Sequence, residues 1–210
     1  MLASGSLGPA GTRARRFGKC TIRRLITQLM LSFIVAAAWG VTGAAPAHAD
    51  HYDHLLAPES TCPNQADASQ PPAVQKTAMV CMINEARTRS GLSTVRVNGT
   101  LTSSAQSKAA DLLTCQDFSH TACGRVWPYW ITEAGYYRPG QCYGAGENLS
   151  WGNGTLATVR VRMGSMLHSD DHRKNILKPK YRDVGIGLVQ GDFRGYAGSQ
   201  VWAQHFGFHC

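Results

Sequence analysis

Apolar residues recur at helical spacing along residues 73–90, a stretch with neither Gly nor Pro in which Ala78, Cys81, Met82 and Ala86 share one face. That pattern predicts a helix, and Gly91, just after Arg87 and Arg89, supplies its stop with cations in the last turn. A second helix is predicted at about 101–114, where Leu101, Ala105, Ala109 and Leu112 fall together. Periodicity then fails. Residues 119–142 hold Trp127, Tyr129, Trp130, Tyr136 and Tyr137 among Gly and Pro, which reads as a long loop anchored by its own aromatic rings. Residues 143–152 read as a strand or a loop–strand join, 156–167 as a third helix and 172–177 as a short helical piece. Alternating patterns over 184–189 and 199–206 predict two strands separated by a Gly-rich turn. This order, with runs of helix and strand rather than repeated strand–helix–strand units, implies an α+β or layered arrangement.

Charge changes the picture at the N-terminus. Residues 1–49 carry six basic side chains (Arg13, Arg15, Arg16, Lys19, Arg23 and Arg24) and no acidic one, and 25–49 carry no charge at all. The apolar run 29–38 leads to the small-x-small sequence Ala47-His48-Ala49, which a signal peptidase reads. Gly40, Thr42, Gly43, Pro46 and His48 interrupt what would otherwise approach the ~20 apolar residues of a spanning helix. Residues 1–49 are therefore expected to be a signal peptide cleaved near Ala49, leaving no stable membrane span and a secreted product. The whole chain is +8, yet residues 50–210 hold 15 basic and 13 acidic groups. A balance that small does not call for nucleic acid as a partner.

The cysteines fit export. Cys20 lies in the leader without a lipobox around it. Cys62, Cys81, Cys115, Cys123, Cys142 and Cys210 remain, an even number with no Cys-x-x-Cys pair, which points to three disulfides rather than to zinc. Six cysteines allow 15 pairings; Cys62 with Cys81, tying an arm at 50–73 to the first helix, is the one expected.

No zinc-protease helix, nucleophile elbow or phosphate loop is present. Asn98-Gly-Thr and Asn153-Gly-Thr match the glycosylation pattern, as does Asn148-Leu-Ser, but the two Asn-Gly pairs read more simply as turns. Six landmarks in order carry more weight. They are Asn84-Glu-Ala-Arg87 with Gly91-Leu92, Phe118-Ser-His120, Gly146-Glu-Asn-Leu149, Ser169-Asp-Asp-His172-Arg-Lys-Asn175-Ile-Leu177, Lys180-Tyr-Arg-Asp-Val-Gly185-Ile-Gly187 and Val201-Trp-Ala-Gln204-His-Phe206. Together they resemble the CAP superfamily of cysteine-rich secretory, antigen 5 and pathogenesis-related proteins (SCP domain), in its bacterial form.

The resemblance covers about 74–208 and implies a CAP domain over 74–210. The implied fold is α+β, a disulfide-braced three-layer α–β–α sandwich with a small central antiparallel sheet. It also implies a cleft that collects two His and two Glu side chains, to which this sequence contributes His120, Glu147 and His172. A second Glu is expected on the helix before His172, but residues 159–168 contain none, and neither His168 nor Glu133 is assigned to the place by a motif. Two imidazoles and a carboxylate suit a divalent ion such as zinc, magnesium or calcium; the structural alternative is a buried hydrogen-bond network that braces the layers. Function is expected to be that of a non-catalytic module binding lipid or small apolar ligands. The alternatives are a metal-assisted hydrolase or peptidase using Glu147 as general base, and a module that contacts the cell wall, a cell-envelope component or a partner protein.

Overall fold

The computed structural model describes residues 51–138 and 140–210, so the expected leader and Cys20 lie outside the described residues. The first long helix, α1 (Pro72–Arg89), begins with proline in its first turn, where a missing N–H costs nothing, and ends at Gly91, whose φ of 71° suits a residue without a Cβ. A two-residue strand, β1 (Arg96–Val97), precedes α2 (Gly99–Cys115), and Asn98 starts that helix by accepting the Leu101 amide through its side chain at 3.0 Å. One of the three Asn-Gly-or-Asn-Leu sequons is thus a helix cap. The aromatic stretch is less irregular than its sequence predicts, because a short helix, α3 (Tyr129–Glu133), drops Trp130 and Ile131 into the interior. Then follow β2 (Tyr143–Gly152), α4 (Val159–His168), α5 (Asp170–Ile176), β3 (Asp183–Phe193) and β4 (Tyr196–His209).

The four strands form one sheet in the order β1-β3-β4-β2, antiparallel except where the short β1 runs parallel to β3. Side chains alternate across it. Val184, Ile186, Leu188, Trp202 and Phe206 pack with α1 and α4 through Met79, Met82, Ile83, Met163 and Leu167. Leu149, Val201 and Ala203 face α2 and α3, where Ala105, Ala109, Leu112 and Trp130 complete a second cluster. The result is helices, sheet and helices in three layers, as the sequence implies.

Glycine explains how closely α2 lies. A Cβ on Gly185 would fall 2.0 Å from the Leu101 carbonyl carbon, and one on Gly187 would fall 2.0 Å from the Ala105 carbonyl oxygen. The Val-Gly-Ile-Gly-Leu run therefore serves both faces of β3. Its aliphatic residues fill one layer, and its glycines let the α2 backbone ride on the other.

Three disulfides join described residues: Cys62–Cys81, as expected, together with Cys115–Cys123 and Cys142–Cys210. The first holds the segment before α1, where Leu55, Ala57 and Gln65 are buried, against the helix. Arg87, wholly buried, donates to the carbonyls of Ser93, Ile176, Lys178 and Tyr181 and so ties α1 to the approach to β3. Among the described residues, no helix is long and apolar enough to cross a membrane.

Candidate functional site

Strand register assembles the site. Glu147 on β2 lies directly opposite His205 on β4, so their side chains emerge on the same face of the sheet, the face that α2 covers. On α2, Ser104 and Lys108 are one turn apart and both point into that layer, buried. The loop after α2 brings His120 to the mouth.

These groups make a continuous chain of hydrogen bonds. The Ser104 hydroxyl lies 2.7 Å from His205 Nδ1. Because an ionised carboxylate can only accept, His205 Nε2–H donates to Glu147 Oε2 at 2.8 Å and His120 Nδ1–H donates to Glu147 Oε1 at 2.6 Å. Exposure runs in one direction along the chain: the His205 side chain is 0% exposed, that of Glu147 2% and that of His120 58%. The Lys108 ammonium, itself fully buried, lies 3.9 Å from Glu147 Oε1, donates to the Ser119 carbonyl at 2.8 Å and sits 3.6 Å above the Trp130 ring.

The electrostatics follow from these contacts. Burial pushes the Glu147 carboxyl up, but hydrogen bonds from both imidazoles and the neighbouring Lys108 charge outweigh it and hold the group below the usual carboxylate range. The hydrogen bond to Glu147 raises His120 above the ordinary histidine value against its partial burial. Burial lowers the Lys108 ammonium, with Glu147 opposing the shift. His172 is lowered by burial and then by the charge of His120.

All three residues named from the sequence border one open cleft of about 540 Å³, together with Trp127, Gly146 and Asn175. His120 and Glu147 touch. His172, on α5, joins them as a wall of the cleft, and its backbone carbonyl accepts from Asn148, which also reaches Gln204. Asn175 donates to the backbone carbonyl of Glu147 at 3.1 Å and to Asn148 Oδ1 at 2.9 Å, so the two asparagines brace β2 against α5. That approach requires Gly146, where a Cβ would meet Tyr181 Oη at 2.2 Å. His168 instead lies 3.4 Å from Asp53, and Glu133 lines a separate groove beside Asp111, so neither completes the cleft.

Lys108 and His205 complete the network behind the cleft; Lys108 lies in none of the ordered landmarks, and His205 stands inside the last of them, Val201–Phe206, without being marked there as a site residue. A signal existed for each: His205 continues the alternation Val201, Ala203, His205, and Lys108 lies seven residues after Leu101 on the buried face of α2.

The residues as arranged do not fit a divalent ion held by His120, Glu147 and His172. Both oxygens of Glu147 are already engaged by imidazole N–H groups, and an ammonium stands beside one of them. Among the described residues, no group of three or more His, Cys, Asp or Glu side chains is placed to hold a metal.

A second concavity, of different character, opens between α1, the start of α2 and β1. About 290 Å³ in volume, it is lined by Ala73, Thr77, Val80, Val97, Thr102 and Ile186, with Lys76 as its one charged wall. Val97 is 63% exposed there, an apolar side chain left in solvent on a strand of two residues.

The model of the cysteine-rich secretory protein family, CAP, matches residues 80–206. The uncharacterized protein YkwD of Bacillus subtilis is 29% identical over 163 residues, which make up 76% of this chain and 58% of that protein. Among solved structures, an extracellular protein containing an SCP domain from Bacillus anthracis aligns over 65% of this chain and 43% of its own, at 19% identity and a TM-score of 0.49. An outer surface protein from Borrelia burgdorferi aligns over 63% of this chain and 90% of its own, at 20% identity and a TM-score of 0.49. This chain thus spans little more than half the length of the Bacillus subtilis relative.

Proposed function

This chain belongs to the cysteine-rich secretory protein (CAP) family, and from that premise we propose that it is an exported, non-catalytic module that binds a single acyl chain or a similarly slender apolar ligand. The observation that carries the reading is the groove between α1 and α2. Its walls are mostly apolar, with Ala73, Val80, Val97 and Ile186 beside Thr77 and Thr102, its size is near the lower end of the ~300–1,000 Å³ range of small-molecule sites, and the Lys76 ammonium offers an anionic headgroup a partner. An exposed Val97 in such a groove gains by being covered, because apolar surface leaves water. Three disulfides among the described residues, together with the basic, apolar leader of the sequence, support export.

The polar cleft offers less to an apolar ligand, and its carboxylate is poorly placed as a general base. Each Glu147 oxygen already accepts an imidazole N–H, the side chain is buried and the group is held below the usual carboxylate range, so it is a weak base turned toward its two histidines rather than toward a substrate. Calorimetry with dodecanoate tests the proposal. Binding is expected for the wild type and should weaken at least tenfold in Val97→Asp, whose exposed position leaves folding intact. Purified protein that carries no lipid and takes up no added dodecanoate overturns the reading.

A further inference from the structure

Lys108 is the unexpected group behind the cleft. It sits among the apolar residues of the buried α2 face, where an unpaired ammonium would be strongly disfavoured. Three electron-rich groups face its nitrogen: the Ser119 carbonyl at 2.8 Å, the face of Trp130 at 3.6 Å and Glu147 Oε1 at 3.9 Å. Glu147 is matched in turn by Lys108 and by the N–H groups of His120 and His205. The inner set is one carboxylate, one ammonium and two imidazoles oriented on the carboxylate, with the more distant Asp111 and Asp117 adding to the field at Lys108.

A divalent ion taken up by Glu147 and His120 would have to break the 2.6 Å hydrogen bond between them and settle beside a buried like charge. We propose that Lys108 is the resident cation of this cleft: its ammonium neutralises Glu147 and keeps His120 and His205 arranged around it, so that the cleft is organised without metal. The idea concerns the polar cleft alone and does not depend on what enters the apolar groove.

The test compares zinc binding by the wild type, Lys108→Met and Lys108→Arg. Methionine keeps an unbranched stem under Trp130 and removes the charge, whereas arginine keeps the charge. Zinc affinity is measured by competition with a chromophoric chelator, and each variant is repeated with His120→Ala so that binding to surface histidines is subtracted. The expected result is no His120-dependent zinc binding in the wild type or in Lys108→Arg, and a His120-dependent gain of at least tenfold in Lys108→Met. Stoichiometric, His120-dependent binding in the wild type, or equal affinity in the wild type and Lys108→Met, overturns the proposal. Should Lys108→Met fail to fold, imidazole NMR of the wild type under zinc titration decides: unchanged His120 and His205 signals uphold it, and shifts in both overturn it.

Discussion

The two faces of the central sheet solve the same packing problem by opposite means. Toward α1 and α4 the spacing is set by side chains: Val184, Ile186 and Leu188 on β3, with Trp202 and Phe206 on β4, fill the layer with hydrocarbon. Toward α2, β3 presents Gly185 and Gly187, and the helix backbone comes within contact of the strand. Polar groups are buried on both sides, but in different ways. Arg87 on the α1 side ends on backbone carbonyls and is purely a brace, while Ser104, Lys108, Glu147 and His205 on the α2 side are side chains that satisfy one another and lead out to His120. Close approach of helix and sheet keeps that polar chain dry, and a dry polar chain is sensitive to the loss of any one member.

The largest effect should come from breaking that closure. Glu147→Ala leaves Lys108 buried without its counter-charge and should cost about 3–5 kcal/mol in urea unfolding, the range for half-broken buried ion pairs. Lys108→Met combined with Glu147→Ala should cost less than Glu147→Ala alone, because nothing charged is then stranded. A double variant that costs the sum of the singles would show that the two residues do not act as a pair.

Next in size is the spacing itself. Gly187→Ala puts a methyl 2.0 Å from the Ala105 carbonyl oxygen, backbone that cannot swing aside, and should destabilise by about 1–3 kcal/mol. If the faces differ as described, it should also perturb the NMR signal of His205 on the α2 side while leaving that of Trp202 on the α1 side nearly unmoved.

The smallest effect is on pH dependence. His120 is raised, so its contribution is fully present below about pH 6.5 and is lost as pH climbs through its folded value. Glu147 is lowered, so its contribution is fully present above about pH 4.5 and is lost as pH falls through its folded value. The difference in unfolding free energy between wild type and His120→Ala should therefore be greatest between about pH 4.5 and 6.5 and shrink on either side. The exposure of His120 keeps the amplitude modest. A flat difference across that range would remove His120 from the network.

Much of this architecture was legible in the chain. The 3.6-residue period of α1 and α2 and the alternation of β3 and β4 survive because each long element buries one face against a single layer. Strand β1 was missed, since two residues cannot establish a period, and α3 was missed because its one buried turn is embedded in a run of aromatics. Within the site, His120, Glu147 and His172 were found by ordered motifs. Lys108 and His205 were not: local pattern places each on a buried face, but that they meet Glu147 depends on the β2–β4 register for His205 and on the packing of α2 against the sheet for Lys108.

The bracing of β2 has a consequence for the molecule in a crowded solution. This strand is the last in its sheet, and a bare edge of that kind invites a neighbouring chain to extend the sheet. Here the outward carbonyl of Glu147 is taken by Asn175, and that of Trp151 by Arg162. Two of the acceptors a foreign strand would use are thus covered from within. Asn175, which steadies the cleft, and Arg162, farther along the strand, leave less of the edge open to a neighbour, and replacing both with Ala should show in light scattering before it shows in loss of fold.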